Sequence, residues 1–164
     1  MALSEQEIIR REKLQNLRNL GINPYPANLF PVNHTSKQIK ETFEEGKKVI
    51  VAGRLMSVRD QGKACFAELQ DSEGRIQLYV NRDVLCEGDD KTLYNQVFKK
   101  LTDLGDFIGI EGELFTTQVG AKCIRVSGFT FLSKTLRPLP LPKVDEDGNL
   151  LSWRLKFSTT AKSV

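Results

Sequence analysis

Hydrophobic and polar residues alternate most regularly from Gly62 to Val84, GKACFAELQDSEGRIQLYVNRDV, where two period-2 runs flank Asp71-Ser72-Glu73-Gly74. A turn-rich break of that length between alternating runs predicts a β-hairpin. With those residues as the loop, Gln70 faces Arg75, and the pairing continues as Leu69 with Ile76, Glu68 with Gln77, Ala67 with Leu78, Phe66 with Tyr79 and Cys65 with Val80. Cys65, Ala67, Leu69, Ile76, Leu78 and Val80 then form a core face. The opposite face carries Ala64, Phe66, Glu68, Gln70, Arg75, Gln77, Tyr79 and Asn81, polar except for two aromatics directly opposite each other.

Elsewhere the pattern predicts further elements in a definite order. Ser4-Glu5-Gln6-Glu7 is a capping box that starts a helix, and Gly21 is a suitable terminator. Ile9, Leu14, Leu17 and Leu20 fall within about 140° on its wheel. Arg11 and Arg18 share a face beside that stripe, and Arg10 and Lys13 lie along it. Asn23-Pro24-Tyr25-Pro26 forces extended chain. Thr35 or Ser36 is placed to cap a short helix over Lys37–Glu45, with Ile39 and Phe43 inward and Gly46 as its stop. Lys48–Arg59 reads as a strand with Gly53 a bulge or tight bend. Asp90–Leu101 is helical, with Leu93, Tyr94, Val97 and Leu101 on one side and Asp90 as its cap. Asp106–Thr117 and Lys122–Ser133 are two more strands joined by Gln118-Val119-Gly120-Ala121.

Three strands, a helix and two strands, with Gly53, Gly109, Gly112 and Gly128 for sharp coiling, is the order of an OB-fold. This is a mainly β, five-stranded, partly open Greek-key barrel. The barrel is expected over residues 47–135, after an N-terminal helical extension over 1–46 and before a linker and tail over 136–164.

Composition adds little to this picture. The formal charge is +3 and the pI about 8.8, mildly basic as a nucleic-acid binder would be. No apolar run approaches a membrane span and no leader pattern opens the chain, so no membrane partner and a cytoplasmic location are expected. Cys65, Cys86 and Cys123 are odd in number and scattered, which predicts reduced structural thiols and no metal. His34, the one histidine, has no catalytic or ligand companion at useful spacing and reads as a turn or capping residue. No nucleophile triad, paired catalytic carboxylates or phosphate-cradling loop is visible, and Gly109-Ile110-Glu111-Gly112 precedes no helix. No catalytic residue is assigned.

The paired aromatics carry the candidate chemistry. Rings on a polar sheet face, among amides and cations, offer π-faces to unstacked bases, hydrogen bonds to their edges and charge to phosphates. Gln77 has both a donor and an acceptor for a pyrimidine edge. Arg54, Lys63, Arg75 and Lys122 are candidates for phosphates. On residue pattern alone, a cross-strand pair that stabilises the sheet by about 0.2–1 kcal/mol explains Phe66 and Tyr79 equally well. Their position on the usual binding face of an OB-fold favours the nucleic-acid reading.

RREKLQNLRNLGINPYP, His34-Thr35-Ser36, VAGRLMS, GKACFAELQDSEGRIQLYVNRD, LGDFIGIEGELF and LRPLPLP occur in that order between about Ser4 and Pro142. Together they resemble the N-terminal region of class II lysyl-tRNA synthetases. The resemblance implies an anticodon-binding domain with the tRNA anticodon stem-loop as partner. Phe66 would stack on the central uridine, Gln77 would read its edge and Tyr79 would assist. The basic N-terminal helix, through Arg11 and Arg18, would touch the tRNA. It implies no cofactor for this region, ATP and magnesium belonging to the catalytic domain, and a monomer for the isolated domain although the full-length family is dimeric.

Two departures from that family stand out. Gly120-Ala121-Lys122 replaces the glycine-glutamate usual in the hairpin between strands 4 and 5. After Pro142, VDEDGNLLSWRLKFSTTAKSV takes the place of the segment leading to the catalytic domain. The class II motifs for ATP and lysine are absent, which suggests a truncated or altered reading frame, a poorly packed tail and no aminoacylation by the chain alone. The competing readings are a general single-strand binder and a relic without function.

Overall fold

The computed structural model describes residues 2–140. The expected tail falls within 141–164, outside the described residues.

The first helix, α1 (Glu5–Asn19), opens on the expected capping box. The Ser4 amide donates to the Glu7 carboxylate at 2.8 Å and the Glu7 amide to the Ser4 hydroxyl at 3.3 Å. Gly21, at φ +78°, turns the chain away in the left-handed region that glycine tolerates. Leu17 is fully buried against Val97, Leu101 and Phe131. The predicted stripe does not extend to Leu20, which is 47% exposed because it sits in the cap, where the chain already leaves the barrel. Arg10 takes an inward place instead, donating to the carbonyls of Leu104 and Thr135 at 3.1 Å each.

The extended segment after α1 follows the exit of the last strand. Tyr25 donates its hydroxyl proton to the Lys134 carbonyl at 2.8 Å. The second helix, α2 (Ser36–Glu41), is capped by Thr35 through a second capping box with Gln38. It ends four residues short of the predicted Glu45, yet Ile39 is buried and Phe43 still packs on the core. The Ser36 amide and hydroxyl donate to the Asp71 carboxylate at 2.6 and 2.7 Å, tying α2 to the hairpin loop.

Five strands close into a barrel: β1 (Lys48–Asp60), β2 (Ala64–Gln70), β3 (Arg75–Asn81), β4 (Phe107–Thr116) and β5 (Lys122–Ser133). The spatial order is β1-β2-β3-β5-β4, with β4 returning to β1. All pairs are antiparallel except β3 with β5. That is OB-fold topology. The hairpin register matches the sequence reading from Gln70–Arg75 to Cys65–Val80, because one buried face forbids a one-residue slip.

Gly53 is not the bulge. The β1–β2 register slips between Leu55 and Ser57, at Met56. At Gly53 a Cβ would stand 2.4 Å from the Gln70 carbonyl oxygen, so the residue serves close strand approach.

Between β3 and β4 lie α3 (Arg82–Leu85), a single turn capped by Asn81 that the pattern did not predict, and α4 (Leu93–Leu101), wound as a π-helix. Asp90 accepts from the Thr92 amide at 2.9 Å just before α4. Phe98 joins Tyr94, Val97 and Leu101 in the buried set. The Thr102 hydroxyl takes up the Val97 carbonyl at 2.8 Å, five residues back. The Tyr94 hydroxyl reaches the Gly62 carbonyl at 2.8 Å, so α4 closes the barrel end beneath the β1–β2 turn.

A buried charge cluster fastens α1 and the exit of β5 to this end. Lys134, without exposed surface, contacts Asp103 at 2.6 Å and Asp106 at 2.8 Å, and Lys13 of α1 reaches Asp103 at 2.5 Å. All three cysteines are free and buried.

Candidate nucleic-acid interface

Strand parity places Phe66 and Tyr79 opposite each other on the outer face of β2 and β3, with ring centroids 5.2 Å apart. The row is longer than the hairpin. Phe115 of β4 meets the Tyr79 ring edge-on at 5.6 Å, and a guanidinium flanks each end: Arg59 at 5.6 Å from Phe66, Arg125 at 4.6 Å from Phe115. Each ring is half-buried, rooted in the sheet with part of its surface in water. Arg125 is also paired with Glu113 at 2.9 Å.

Phe66 borders a depression of about 580 Å³ whose rim includes Lys40, Arg59, Arg75, Gln77 and Lys122. These cations face one carboxylate on that rim, Glu68, which holds Arg75 at 2.8 Å while Gln70 accepts from the same guanidinium at 3.0 Å. Arg75 is thereby pre-oriented, and Lys122 leans toward the Phe43 ring at 5.3 Å. Gln77 stands between Glu68 on β2 and Cys123 on β5. Its Oε1 accepts from the Cys123 thiol at 3.3 Å. Burial pushes that thiol up to about 11, so at neutral pH it keeps its proton and can donate. A ring, an oriented amide and several cations around an open hollow can stack a base, read its edge and hold its phosphates.

Of the predicted residues, Phe66, Arg75, Gln77 and Lys122 meet in this depression, and Tyr79 adjoins it through Phe66. Arg54 does not. It pairs in register with Gln70 and lies 4.6 Å from the Phe107 ring, beside a second hollow of about 530 Å³ that also includes His34. Lys63 is exposed in the β1–β2 turn, off the rim. Arg11 and Arg18 are exposed on α1, on the side of Tyr25. Burial and the Asp106 charge raise the Tyr25 phenol against the pull of those two arginines.

Sequence reasoning missed Lys40, Arg59, Phe115 and Arg125. Straight alternation from Leu55 would turn Arg59 inward. The extra residue at Met56 reverses parity and sets Arg59 opposite Phe66 on the outer face. Phe115 and Arg125 come near Tyr79 only through the parallel β3–β5 pairing, which no local pattern announces. Among the described residues no group of three His, Cys, Asp or Glu side chains is placed to hold a metal, and no helix is long and apolar enough to cross a membrane.

Residues 32–132 match the family described as the OB-fold nucleic acid binding domain of the tRNA anticodon type. The lysine–tRNA ligase of Christiangramia forsetii is 68% identical over 147 residues, 90% of this chain and 26% of that protein. The one from Porphyromonas gingivalis is 52% identical over 155 residues, 92% of this chain and 27% of the relative. The Lactococcus lactis subsp. cremoris protein of the same name is 46% identical over 147 residues, 84% of this chain and 28% of its own length. The chain thus spans little more than a quarter of these relatives, and the greater part of each lies outside the match.

Proposed function

The chain belongs to the tRNA anticodon family of OB-fold nucleic acid binding domains, and on that premise we propose that it holds the anticodon loop of a tRNA, lysine tRNA by the name of its relatives. These residues correspond to the anticodon-binding part of such ligases and not to their catalytic domain.

The observation that carries the reading is the meeting of Phe66, Gln77 and the cations Arg59, Arg75 and Lys122 around one hollow. A uridine that leaves the anticodon stack lays its face on Phe66, at about 1–3 kcal/mol per stacked base. The Gln77 amide has an acceptor for uracil N3–H and a donor for O4. The cations take the flanking phosphates, and each such contact steepens the salt dependence of binding. Arg54 and Lys63 stand off the rim, where neighbouring nucleotides of the loop would pass. Arg11 and Arg18, on α1, would meet phosphates further from the loop.

The test is a titration with a UUU anticodon stem-loop and with the same loop carrying C at its centre, each at low and moderate salt. The expected result is a preference for U of about tenfold or more, roughly 1.4 kcal/mol. Equal binding that weakens steeply with salt would overturn it in favour of a general single-strand binder. One observation favours that second reading. In the β4–β5 turn the Ala121 amide is spent on the Thr117 hydroxyl at 3.0 Å, and its methyl side chain offers no acceptor where glutamate is usual in the resembling family.

A further inference from the structure

Behind Gln77, one strand over on β5, lies a side chain that the stacking-and-reading scheme does not use. Cys123 has no exposed surface, and the parallel pairing of β3 with β5 puts it in register with Gln77. Its sulfur lies 3.3 Å from Gln77 Oε1. Because burial keeps the thiol protonated, the sulfur carries a hydrogen to give, and the glutamine atom that suits it is the carbonyl oxygen.

This matters because a terminal amide is two-faced. Rotated by half a turn, it exchanges donor for acceptor at the same points in space. The two pyrimidines differ by the same exchange: uracil presents a carbonyl where cytosine presents an amino group. A glutamine free to turn can serve either base. A glutamine held with Oε1 toward β5 keeps Nε2 on the far side of the amide, and turning it over would exchange the S–H···O bond for an N–H contact to a sulfur that is a weak acceptor. Two surroundings bear on the asymmetry. Glu68, the cross-strand partner of Gln77, stands on the β2 side, where a carboxylate suits the N–H donors of Nε2 and not a carbonyl oxygen. Phe115 pairs in register with Cys123 from β4, so the thiol is walled on the side away from Gln77.

We propose that Cys123 is a positioning residue for base selection: by donating to Gln77 Oε1 it holds the amide in one of its two orientations, so that the site takes a uracil-type edge and refuses a cytosine-type edge. The inference rests on the anticodon reading above and deepens it, because it names what makes an ambidextrous side chain selective. Cys123 touches no base and adds little affinity.

The experiment uses the full chain, its Cys123→Ala and Cys123→Ser variants, and the U-centred and C-centred stem-loops. Alanine removes the donor, and serine restores a stronger one at nearly the same size. Wild type should prefer the U loop by about tenfold, Cys123→Ala by less than about threefold with its affinity for U changed less than that, and Cys123→Ser by about as much as wild type. A second readout needs no RNA. The order parameter of the Gln77 side-chain amide, measured by NMR, should fall in Cys123→Ala and recover in Cys123→Ser, with the Gln70 amide, held by Arg75, as internal reference. Unchanged preference or unchanged Gln77 order in Cys123→Ala overturns the proposal. So does an equal loss on both loops, the mark of a merely structural residue. A wild-type chain that binds both loops alike overturns the anticodon reading and the selective role together, and is recognised before any variant is made.

Discussion

Replacing Lys134 by methionine would take the cation out of the buried cluster while leaving most of its stem. Nζ has no exposed surface and lies 2.8 Å from Asp106, which is equally buried, and 2.6 Å from Asp103. In the variant, Asp103 keeps Lys13. Among the described residues, Asp106 keeps only the amides of Asp103 and Thr135, at 2.7 and 2.8 Å. Removing one partner of a buried ion pair costs about 3–5 kcal/mol. The two retained amide bonds set the expectation at the low end, about 3 kcal/mol, a large part of the roughly 5–15 kcal/mol that holds a domain folded. With a urea slope of about 1–3 kcal/mol per molar, the unfolding midpoint should drop by about 1–3 M. The loss should also be uneven. Arg10 and Lys13 enter the same corner from α1, so amide hydrogen exchange should quicken in α1 more than in β2 and β3. A midpoint shift below about 0.3 M, or exchange that rises equally in hairpin and helix, would refute the reasoning.

Two further outcomes follow from the site and from the same cluster. Phe66→Ala should weaken binding of the U-centred stem-loop by about 1–3 kcal/mol, roughly 5- to 150-fold. Its urea midpoint should move little, because the pairing with Tyr79 is worth about 0.2–1 kcal/mol; undiminished binding would show that the ring is not the platform. Burial opposes the charge on Asp103, but hydrogen bonds from Lys13 and Lys134, and their charges, outweigh it and hold the carboxyl below its ordinary 3.8. A carboxyl lowered in the folded state contributes stability that is complete above its unfolded value and lost as pH falls through the folded one. Stability should therefore be level from neutrality to about pH 5 and decline below about pH 4, with a shallower acid limb in Asp103→Asn. Acid titrations that superimpose for the two proteins would remove Asp103 from the account.

The hairpin could be read from the sequence to the residue because its information is local: strand parity and one buried face admit a single register. Phe66, Gln77 and Tyr79 inherit that clarity. What depends on closure could not be read so directly. Arg59 is turned outward by an extra residue at Met56, whereas the visible glycine, Gly53, answers to a neighbouring carbonyl. Arg54 looks equivalent to Arg59 on paper, yet it lies beside Phe107 at the other end of β1. Phe115 and Arg125 join the row of rings through β5, a relation between distant segments. Helix α4 shows its apolar side in the sequence, but neither proline nor glycine within it signals its wider winding.

The parallel pairing of β3 with β5 sets an order of events in time. Phe66 and Tyr79 belong to one hairpin and can meet as soon as it forms, whereas Gln77 and Cys123 are 46 positions apart and meet only when the last strand docks. Contacts of long sequence separation are the slow ones, since the loop must be closed before they return anything. A nascent chain with β5 still undocked would already offer rings and cations to any single strand. The thiol that steadies its glutamine would arrive last, so this protein would become adhesive to RNA before it became discerning.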